Sequence, residues 1–213
     1  MVENSGSTAS QYLDSKYALF SQSLSAILLI AIDLTLLMVL MRDTVEAANS
    51  IAEIDPLSQV HNRGGFNERA KLALERSQKR RHEVAFLLFD LDHFKLINDR
   101  FGHATGDRVI EKFGEILRLV ISDRNVAGRI GGEEFAVLLE NLTAPAARDV
   151  AETIRLALAN TRFDEPDLHA TVSIGIAMAE PFESLHTLCE KADIALYRAK
   201  RSGRNRTAVT EPT

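Results

Sequence analysis

The first apolar segment of the chain is long enough to be a membrane-spanning helix. Residues 24–41 form an apolar run of 18 residues whose one charge is Asp33. At 1.5 Å per residue this run is about 27 Å long, close to the thickness of a bilayer core. Its apolar residues cover all sides of a helix, unlike the single apolar stripe of a surface helix. The sequence therefore predicts a transmembrane helix over 17–41, between a polar tail at 1–16 and a helical linker at 42–54.

A buried helix in a soluble dimer is the alternative for this segment. Asp33 favours that alternative because a central acid costs about 2.5–3.5 kcal/mol on membrane-insertion scales. In the membrane interpretation Asp33 would face a second helix, since intramembrane acids usually point into a protein interface. Flanking charge does not decide the orientation, because Lys16 lies on one side of the segment and Arg42 on the other.

The remainder of the chain alternates strand-like and helix-like patterns. A continuous apolar run at 84–89 predicts a buried central strand, and helical spacing of apolar residues recurs before and after it. From this strand onward the predicted order is β-α-α-β-β-α-β-α-β. This order predicts an α+β domain over 55–213, with helices packed on a central, mostly antiparallel sheet of the ferredoxin-like or palm-like kind.

Local signals place the connections of this domain. Asp55 followed by Pro56 predicts a helix start, because aspartate can cap a helix and proline suits its first turn. Residues 62–65 are predicted to form a turn, and residues 102–107 a glycine-containing loop between two helices.

A Gly-Gly pair separates two short apolar runs in the middle of the domain. Such a pair predicts a hairpin with a primed turn, in which both Gly131 and Gly132 have positive φ. Glu133 and Glu134 follow at once and would stand at the tip of the hairpin. Glycines without side chains would let a large polyanion lie against the backbone there.

Acidic residues also follow the central strand. Asp90 and Asp92 end this strand, and Glu133 and Glu134 belong to a hairpin that could lie beside it. Carboxylates on adjacent strand ends can hold Mg²⁺, which prefers oxygen ligands and leaves room for substrate phosphates. Two such ions would stabilise the attacking and leaving oxygens in phosphoryl or nucleotidyl transfer.

Three cations are candidates for binding phosphates at such a site. Lys95 follows the central strand, and Lys200 and Arg204 are four residues apart at the end of the last helical pattern. Each has a structural alternative: a solvated lysine for Lys95, and favourable charge at a helix C-terminus for the other two. The phosphate-binding loop of P-loop proteins is absent from the sequence, as are the dinucleotide-binding, zinc-protease and serine-hydrolase motifs.

Composition excludes further classes. The net charge of −5 does not favour binding to nucleic acid. Cys189 is the one cysteine, so the chain can form no internal disulfide and no cysteine-rich metal site, which suits a reducing compartment.

Five ordered motifs cover the domain and carry a family resemblance. Over residues 51–210 the chain resembles the GGDEF family of diguanylate cyclases. The motifs are DPLSQVHNR from Asp55, DLDHFKLINDRFGHATGD from Asp90, the signature GGEEF variant from Gly131, TVSIGIA from Thr171 and ADIALYRAKRSGRN from Ala192.

The resemblance implies catalytic and metal-binding roles. Mg²⁺ (or Mn²⁺) would be bound by Asp90, by the backbone carbonyl of Leu91 and by Glu133, with Glu134 beside them. Glu133 would also be the general base for the GTP 3′-hydroxyl, and Lys95 would stabilise charge on the transferring phosphate.

It further implies a nucleotide site. Asn98 and Asp107 would read the guanine edge, and backbone amides at 93–95 (His93, Phe94 and Lys95) would cradle phosphate oxygens. Asp55 and Arg63 would form a structural pair. The substrate-binding residues implied are Phe94, Asn98, His103, Asp107, Gly131, Gly132, Lys200 and Arg204.

The implied reaction joins two GTP into cyclic di-GMP with release of two pyrophosphates. It requires a homodimer in which two domains meet face to face, each presenting its own GTP. The domain would face the cytoplasm at a bacterial inner membrane, or belong to a cytoplasmic dimer under the alternative above. A catalytically silent domain that binds GTP or docks a partner is the second interpretation. A polymerase-like palm is the third, disfavoured because the chain has no fingers, no thumb and no basic groove.

One departure from the family pattern concerns regulation. Many members carry an inhibitory Arg-x-x-Asp site five residues before the signature, and Ser122 and Asn125 occupy its two positions here. Serine lacks the donor fork of arginine, and asparagine lacks the negative charge. The resemblance therefore predicts no product inhibition through this site.

Overall fold

The structure is a computed structural model, and it describes Phe20, residues 22–38, Met41 and residues 53–210. The polar tail predicted at 1–16 lies outside the described residues. The same holds for the linker predicted at 42–54, except for its last two residues, which are not helical. Ile54 instead forms an isolated antiparallel bridge with His61.

The apolar N-terminal segment is helical where the structure describes it. Residues 22–38 are helical. Phe20 and Met41 are helical as well, and the segment contains Asp33. Among the described residues, no helix is both long enough and apolar enough to cross a membrane. The prediction of a long apolar membrane-spanning helix over 17–41 is therefore wrong.

A five-stranded mixed sheet forms the centre of the domain, which confirms the predicted α+β class. Its spatial order is β2-β3-β1-β4-β5, and each neighbouring pair is antiparallel except the parallel pair of β4 and β5. The strands are β1 (Val84–Leu91), β2 (Val126–Arg129), β3 (Glu134–Glu140), β4 (Val172–Met178) and β5 (Thr207–Val209).

Five helices of the domain cover both faces of this sheet. α1 and α5 pack on one face, and α3 and α4 pack on the other. The helices are α1 (Arg63–Arg80), α2 (Phe94–Phe101), α3 (His103–Val120), α4 (Ala144–Ala159) and α5 (Leu185–Arg201). From β1 onward this order is the predicted one.

The apolar run of β1 is continuous because both faces of the strand are buried. Leu87 and Phe89 belong to the core under α3 and α4, whereas Phe86 and Leu88 belong to the core under α1 and α5. On the first side Phe113 lies edge-on to Phe89, with ring centroids 5.7 Å apart. This packing fixes β1, and with it the polar residues that follow Phe89.

Two predicted connections differ from the structure. Residues 56–58 form a turn rather than the start of a helix, because Gln59 has a left-handed φ of 57° that ends the helical direction. The helix α1 begins at Arg63 instead, capped by the Asn62 side chain, which accepts a hydrogen bond from the Gly65 amide at 2.9 Å. The turn predicted at 62–65 is therefore the cap and first turn of a helix.

The loop predicted at 102–107 is also helical. α2 ends at Phe101 and α3 begins at His103, so a single residue joins the two helices. Gly102 has a φ of 85°, a conformation that a residue with a Cβ rarely adopts. The abrupt change of direction places the first turn of α3 against α2.

Candidate active site at the end of the central strand

The carboxyl end of β1 lies beside the GGEEF segment, as the sequence predicted. Asp90 is directly opposite Glu134 in the antiparallel pairing of β1 with β3. One residue further, the Leu91 amide donates a hydrogen bond to the Glu133 carbonyl at 3.2 Å. The strand pairing therefore brings Asp90, Leu91 and Glu133 to one end of the sheet.

The signature loop, residues 130–133, is wider than a primed two-residue turn. Pairing of β2 with β3 stops at Arg129 opposite Phe135, and the amides of Ile130 and Gly131 both donate to the Glu134 carbonyl, at 2.9 and 3.3 Å. Neither glycine of the loop has a positive φ. The predicted primed turn is therefore wrong.

The two glycines provide space rather than unusual backbone angles. A Cβ at Gly131 would lie 2.4 Å from Oε2 of Glu134, so the Glu134 side chain occupies the room that the first glycine leaves. A Cβ at Gly132 would have no neighbouring atom within 4 Å. The second glycine consequently exposes its backbone to the space in front of the loop.

Arg129 binds the backbone of the signature loop. Its Nε and Nη2 donate to the Gly132 carbonyl at 3.1 and 2.7 Å. Its Nη1 lies 3.2 Å from Oδ1 of Asp55, and both side chains are mostly buried. One guanidinium thus connects the turn that begins at Asp55 with the backbone next to Glu133. The sequence reasoning missed this residue, although its position directly before the loop was the available signal.

Asp55 therefore pairs with Arg129 and not, as predicted, with Arg63. The same carboxylate accepts hydrogen bonds from the Ser58 amide at 2.8 Å and the Ser58 hydroxyl at 2.6 Å. Burial alone would raise the pKa of Asp55, but these hydrogen bonds and the Arg129 charge outweigh burial and lower the pKa. Asp55 is held as a carboxylate, and its contacts keep the turn attached to β2.

A lysine lies against the predicted metal ligand Asp90. Nζ of Lys200, from the last turn of α5, is 2.7 Å from Oδ2 of Asp90. Within the described residues, no group of three or more His, Cys, Asp or Glu side chains is arranged to hold a metal ion. The predicted approach of the hairpin acids to the strand end is seen in the backbone pairing of Asp90 with Glu134 and of Leu91 with Glu133. The ligands predicted for this site, the carboxylates of Asp90 and Glu133 and the Leu91 carbonyl, are all oxygens and fit Mg²⁺ by their chemistry.

Asp92, the second acid after β1, is buried and fully engaged. Its residue surface is 4% exposed. Its carboxylate accepts from the Ser173 hydroxyl at 2.7 Å, the Thr171 hydroxyl at 2.8 Å and the Asn205 amide at 3.0 Å. A carboxylate with these donors is a structural group, so the interpretation of Asp92 as a metal-binding candidate is wrong.

The predicted guanine-binding residues meet between α2 and α3. His103 and Asp107 are four residues apart on α3 and share one exposed face. Gly106, next to Asp107 in the chain, is buried, and a Cβ there would be 1.9 Å from Oδ1 of Asn98 and 3.2 Å from the Phe94 ring. Close approach at Gly106 therefore brings Asn98 and Phe94 to the start of α3, which carries the other two residues.

Asn98 has an unused acceptor in this pocket. Its Oδ1 atom is buried and has no hydrogen-bond partner among the residues that the structure describes. This oxygen lies against Gly106, where a Cβ would be 1.9 Å away, so the Asn98 side chain is packed at the contact between α2 and α3. The N–H groups of a guanine edge are donors that an amide oxygen can accept.

The first turn of α2 faces the same region. The turn opens at His93, which has a left-handed φ of 55°, and the first backbone bond of the helix runs from the Ile97 amide to the His93 carbonyl. The amides of Phe94 and Lys95 thus have no acceptor inside the helix and form its positive end. Lys95 itself is exposed.

The positions of the family's inhibitory site are part of an ordinary turn. Oδ1 of Asn125 accepts from the Glu140 amide at 2.9 Å, and its Nδ2 donates to the Ser122 hydroxyl at 3.0 Å. Asn125 thus fastens the turn before β2 to the end of β3.

Comparison with known protein families identifies one match over most of the chain. The family model described as "Diguanylate cyclase, GGDEF domain" matches residues 52–206. A diguanylate cyclase from Vibrio cholerae is 36% identical over 165 residues, which is 77% of this chain and 51% of the relative. The diguanylate cyclase DgcP from Pseudomonas aeruginosa is 40% identical over 158 residues, 73% of this chain and 23% of the relative. The chain therefore spans about half or less of the length of these curated relatives.

Solved structures give the same likeness. The coiled coil and GGDEF domain of DgcB from Caulobacter crescentus, in complex with c-di-GMP, matches with a TM-score of 0.72 and 31% identity, covering 83% of this chain and 95% of that one. The active GGEEF domain of a diguanylate cyclase from Vibrio cholerae matches with a TM-score of 0.69 and 35% identity, covering 73% of this chain and 100% of that one.

Proposed function

The chain belongs to the GGDEF family of diguanylate cyclases, and from this premise we propose that it condenses two GTP into cyclic di-GMP with release of two pyrophosphates. The observation that carries the proposal is the approach of Glu133 to the end of β1, where the Leu91 amide binds the Glu133 carbonyl. This approach brings the backbone of Glu133 to the strand end that carries Asp90 and leads into α2. The Asn98 amide, whose Oδ1 has no hydrogen-bond partner among the described residues, is the proposed contact to the nucleotide base.

The chemistry assigns one role to each group. Glu133 accepts the proton of the GTP 3′-hydroxyl, and the resulting oxygen attacks the α-phosphorus of the second GTP as the bond to pyrophosphate breaks. The same reaction, with the roles of the two GTP molecules reversed, closes the ring and releases the second pyrophosphate. Lys95 and the amides of the first turn of α2 stabilise negative charge on the phosphates.

A divalent cation, Mg²⁺ or Mn²⁺, fits the oxygens of Asp90, Leu91 and Glu133. When bound, it would neutralise charge on the phosphates. Lys200 now pairs with Asp90, so a cation there would release the Lys200 ammonium toward the phosphates. Arg204, four residues further, would join it.

The reaction requires two domains. One domain has one base pocket, on α2 and α3, whereas the product contains two guanines. Two chains would therefore meet face to face with two-fold symmetry, each presenting its GTP to the other. Because the active species is a dimer, turnover per chain should depend on protein concentration.

Pyrophosphate release by the full chain tests this proposal. With GTP and Mg²⁺, the rate per chain should rise with protein concentration until the dimer is saturated. A rate per chain that stays constant for a proven monomer would contradict the dimeric arrangement.

A silent GTP-binding domain is the second candidate. It is favoured by the Asp90–Lys200 ion pair, in which the ammonium lies against the proposed metal ligand. GTP binding without pyrophosphate release, at any protein concentration, would establish this alternative instead.

A further inference from the structure

Three consecutive residues with positive φ follow α5. Gly203, Arg204 and Asn205 have φ values of 111°, 60° and 43°. Residues other than glycine rarely adopt this conformation, so surrounding contacts must hold the backbone there. The loop formed by residues 202–206, which we term the left-handed loop, carries Arg204 and begins two residues after Lys200.

Asp92 supplies the buried contact that holds this loop. Its Oδ2 accepts from the Asn205 amide at 3.0 Å, while the Thr171 and Ser173 hydroxyls fix the carboxylate from β4 and the residue before it. On the exposed side, Nη1 of Arg155 donates to Oδ1 of Asn205 at 2.9 Å. The loop is therefore held between one buried acid and one mostly buried arginine.

Asp92 also borders the other phosphate-binding element. It lies two residues after Asp90 and directly before His93, the N-cap of α2. The Asp92 amide donates to the Thr171 carbonyl at 2.8 Å, which fixes this backbone against β4. One buried residue thus joins the strand end, the positive end of α2 and the backbone that carries Arg204.

We propose that Asp92 is a positioning residue that sets Arg204 and the first turn of α2 at a fixed separation, matched to the β- and γ-phosphates of a nucleoside triphosphate. This inference rests on the proposed function. Asp92 does not touch the substrate; it acts through the Asn205 amide. The separation fixed in this way favours a triphosphate over a monophosphate with the same base.

The variant Asp92→Asn tests this role, because it keeps the shape of the side chain and replaces one acceptor oxygen by a donor nitrogen. Equilibrium binding of GTP and of GMP would be measured on the full chain in a Glu133→Gln background, where GTP is not consumed. Asp92→Asn should weaken GTP binding about tenfold, the effect of losing a hydrogen bond to a charged group. Binding of GMP, which lacks the outer phosphates, should change less than about twofold on the same basis.

Two further variants separate positioning from general stability. Arg204→Ala should weaken GTP binding as much as Asp92→Asn does, and the double variant should be no weaker, because both changes remove the same contact. Ser173→Ala is the matched control. It removes another donor to Asp92 but leaves the Asn205 contact, so GTP binding should stay nearly unchanged. Hydrogen exchange in a peptide covering 202–206 should accelerate in Asp92→Asn and not in Ser173→Ala.

The outcomes distinguish this inference from the proposed function. Equal loss of GTP and GMP binding in Asp92→Asn, or additive losses with Arg204→Ala, would overturn the positioning role. Absence of GTP binding in the parent chain would instead overturn the proposed function. If Asp92→Asn does not fold, Arg155→Ala loosens the same loop by removing the contact to Asn205. It should then weaken GTP binding selectively, and an equal loss for GMP would count against the inference.

Discussion

Both ends of the central sheet carry acidic residues, but the two ends differ in which polar groups have a hydrogen-bond partner. At the far end, the Glu140 carboxylate accepts from Arg76 and from the Ser77 hydroxyl, and the Glu140 amide is bound by Asn125. At the β1 carboxyl end, the acceptor of Asn98 has no partner among the described residues, and the backbone of Gly132 faces open space. Acidic residues alone therefore do not define the site.

The comparison also separates two uses of arginine. Arg76 closes an ion pair with Glu140 and contacts no element of the proposed site. Arg129 instead divides its donors between Asp55 and the Gly132 carbonyl. The first arginine stabilises the fold, whereas the second also fixes the backbone beside Glu133.

Replacing one acidic residue at each end of the sheet should give the largest difference in kcat. Glu133→Gln removes the proposed base, so kcat should fall at least about a hundredfold, the usual contribution of a positioned acid–base group. Glu140→Gln should leave kcat within about twofold, because its contacts are far from the base, and should lower the unfolding midpoint in urea. Near-normal turnover by Glu133→Gln would refute the catalytic assignment.

Exchange of one arginine at each end should give the next largest effect. Arg129→Ala frees the Gly132 carbonyl and unpairs Asp55, so kcat should fall about tenfold with a smaller change in KM, as expected for a misplaced catalytic group. Arg76→Ala is the matched control and should affect unfolding only. Steady-state kinetics and urea unfolding would be measured for both variants. Equal effects on kcat would contradict the claim that Arg129, unlike Arg76, positions the backbone beside Glu133.

Replacing Asn98 should change how strongly the enzyme selects GTP over ATP. Asn98→Ala should raise KM for GTP about tenfold, since a hydrogen bond to the base is lost, and should reduce the preference for GTP over ATP. kcat at saturating GTP should change less. An unchanged ratio of kcat/KM for the two nucleotides would mean that Asn98 does not read the base.

Acid should weaken the far end of the sheet. Burial would raise the pKa of Glu140, but the hydrogen bonds from Arg76 and Ser77 and the Arg76 charge outweigh burial and lower it. A lowered pKa means that the carboxylate stabilises the fold above its unfolded pKa of about 4.3. This contribution is lost as the pH falls through the folded value. Urea unfolding between pH 7 and pH 3 should show a steeper acid loss for the parent chain than for Glu140→Gln, and parallel curves would contradict this.

The smallest expected effect concerns the product: cyclic di-GMP should not inhibit the reaction through Ser122 and Asn125. Asn125 is occupied by the Glu140 amide and the Ser122 hydroxyl, and neither side chain offers the charges that would bind cyclic di-GMP. Initial rates should stay flat as cyclic di-GMP is added with pyrophosphatase present. Strong non-competitive inhibition that Arg124→Ala relieves would reveal a shifted site.

The sequence predicted the elements that local pattern determines. The continuous apolar run of β1 and the two acids at its end are readable because a strand buried on both faces has no polar positions. The approach of Glu133 to this end follows from hairpin connectivity. The conformation of the Gly131–Gly132 loop does not, because its shape depends on where the side chains of Glu134 and Arg129 lie in the folded domain.

The sequence also did not predict contacts between residues that are far apart in the chain. Asp55 has nearby arginines in the chain, but its partner is Arg129, 74 positions away, because the turn at 56–58 docks against β2. Asp92 and Asp90 look alike in the sequence, and only the hydroxyls of β4 and of Thr171 make the first a structural group. The membrane-spanning helix was predicted from apolarity, but among the described residues no helix is both long enough and apolar enough to cross a membrane.

Product identification by the full chain tests the central claim most directly. The chain would be incubated with GTP and Mg²⁺, with Glu133→Gln as the control, and the nucleotides would be separated by chromatography. We expect cyclic di-GMP from the parent chain, with two pyrophosphates released for each molecule formed, and none from the control. Bound but unchanged GTP at every protein concentration would contradict the claim that this end of the sheet is a diguanylate cyclase active site.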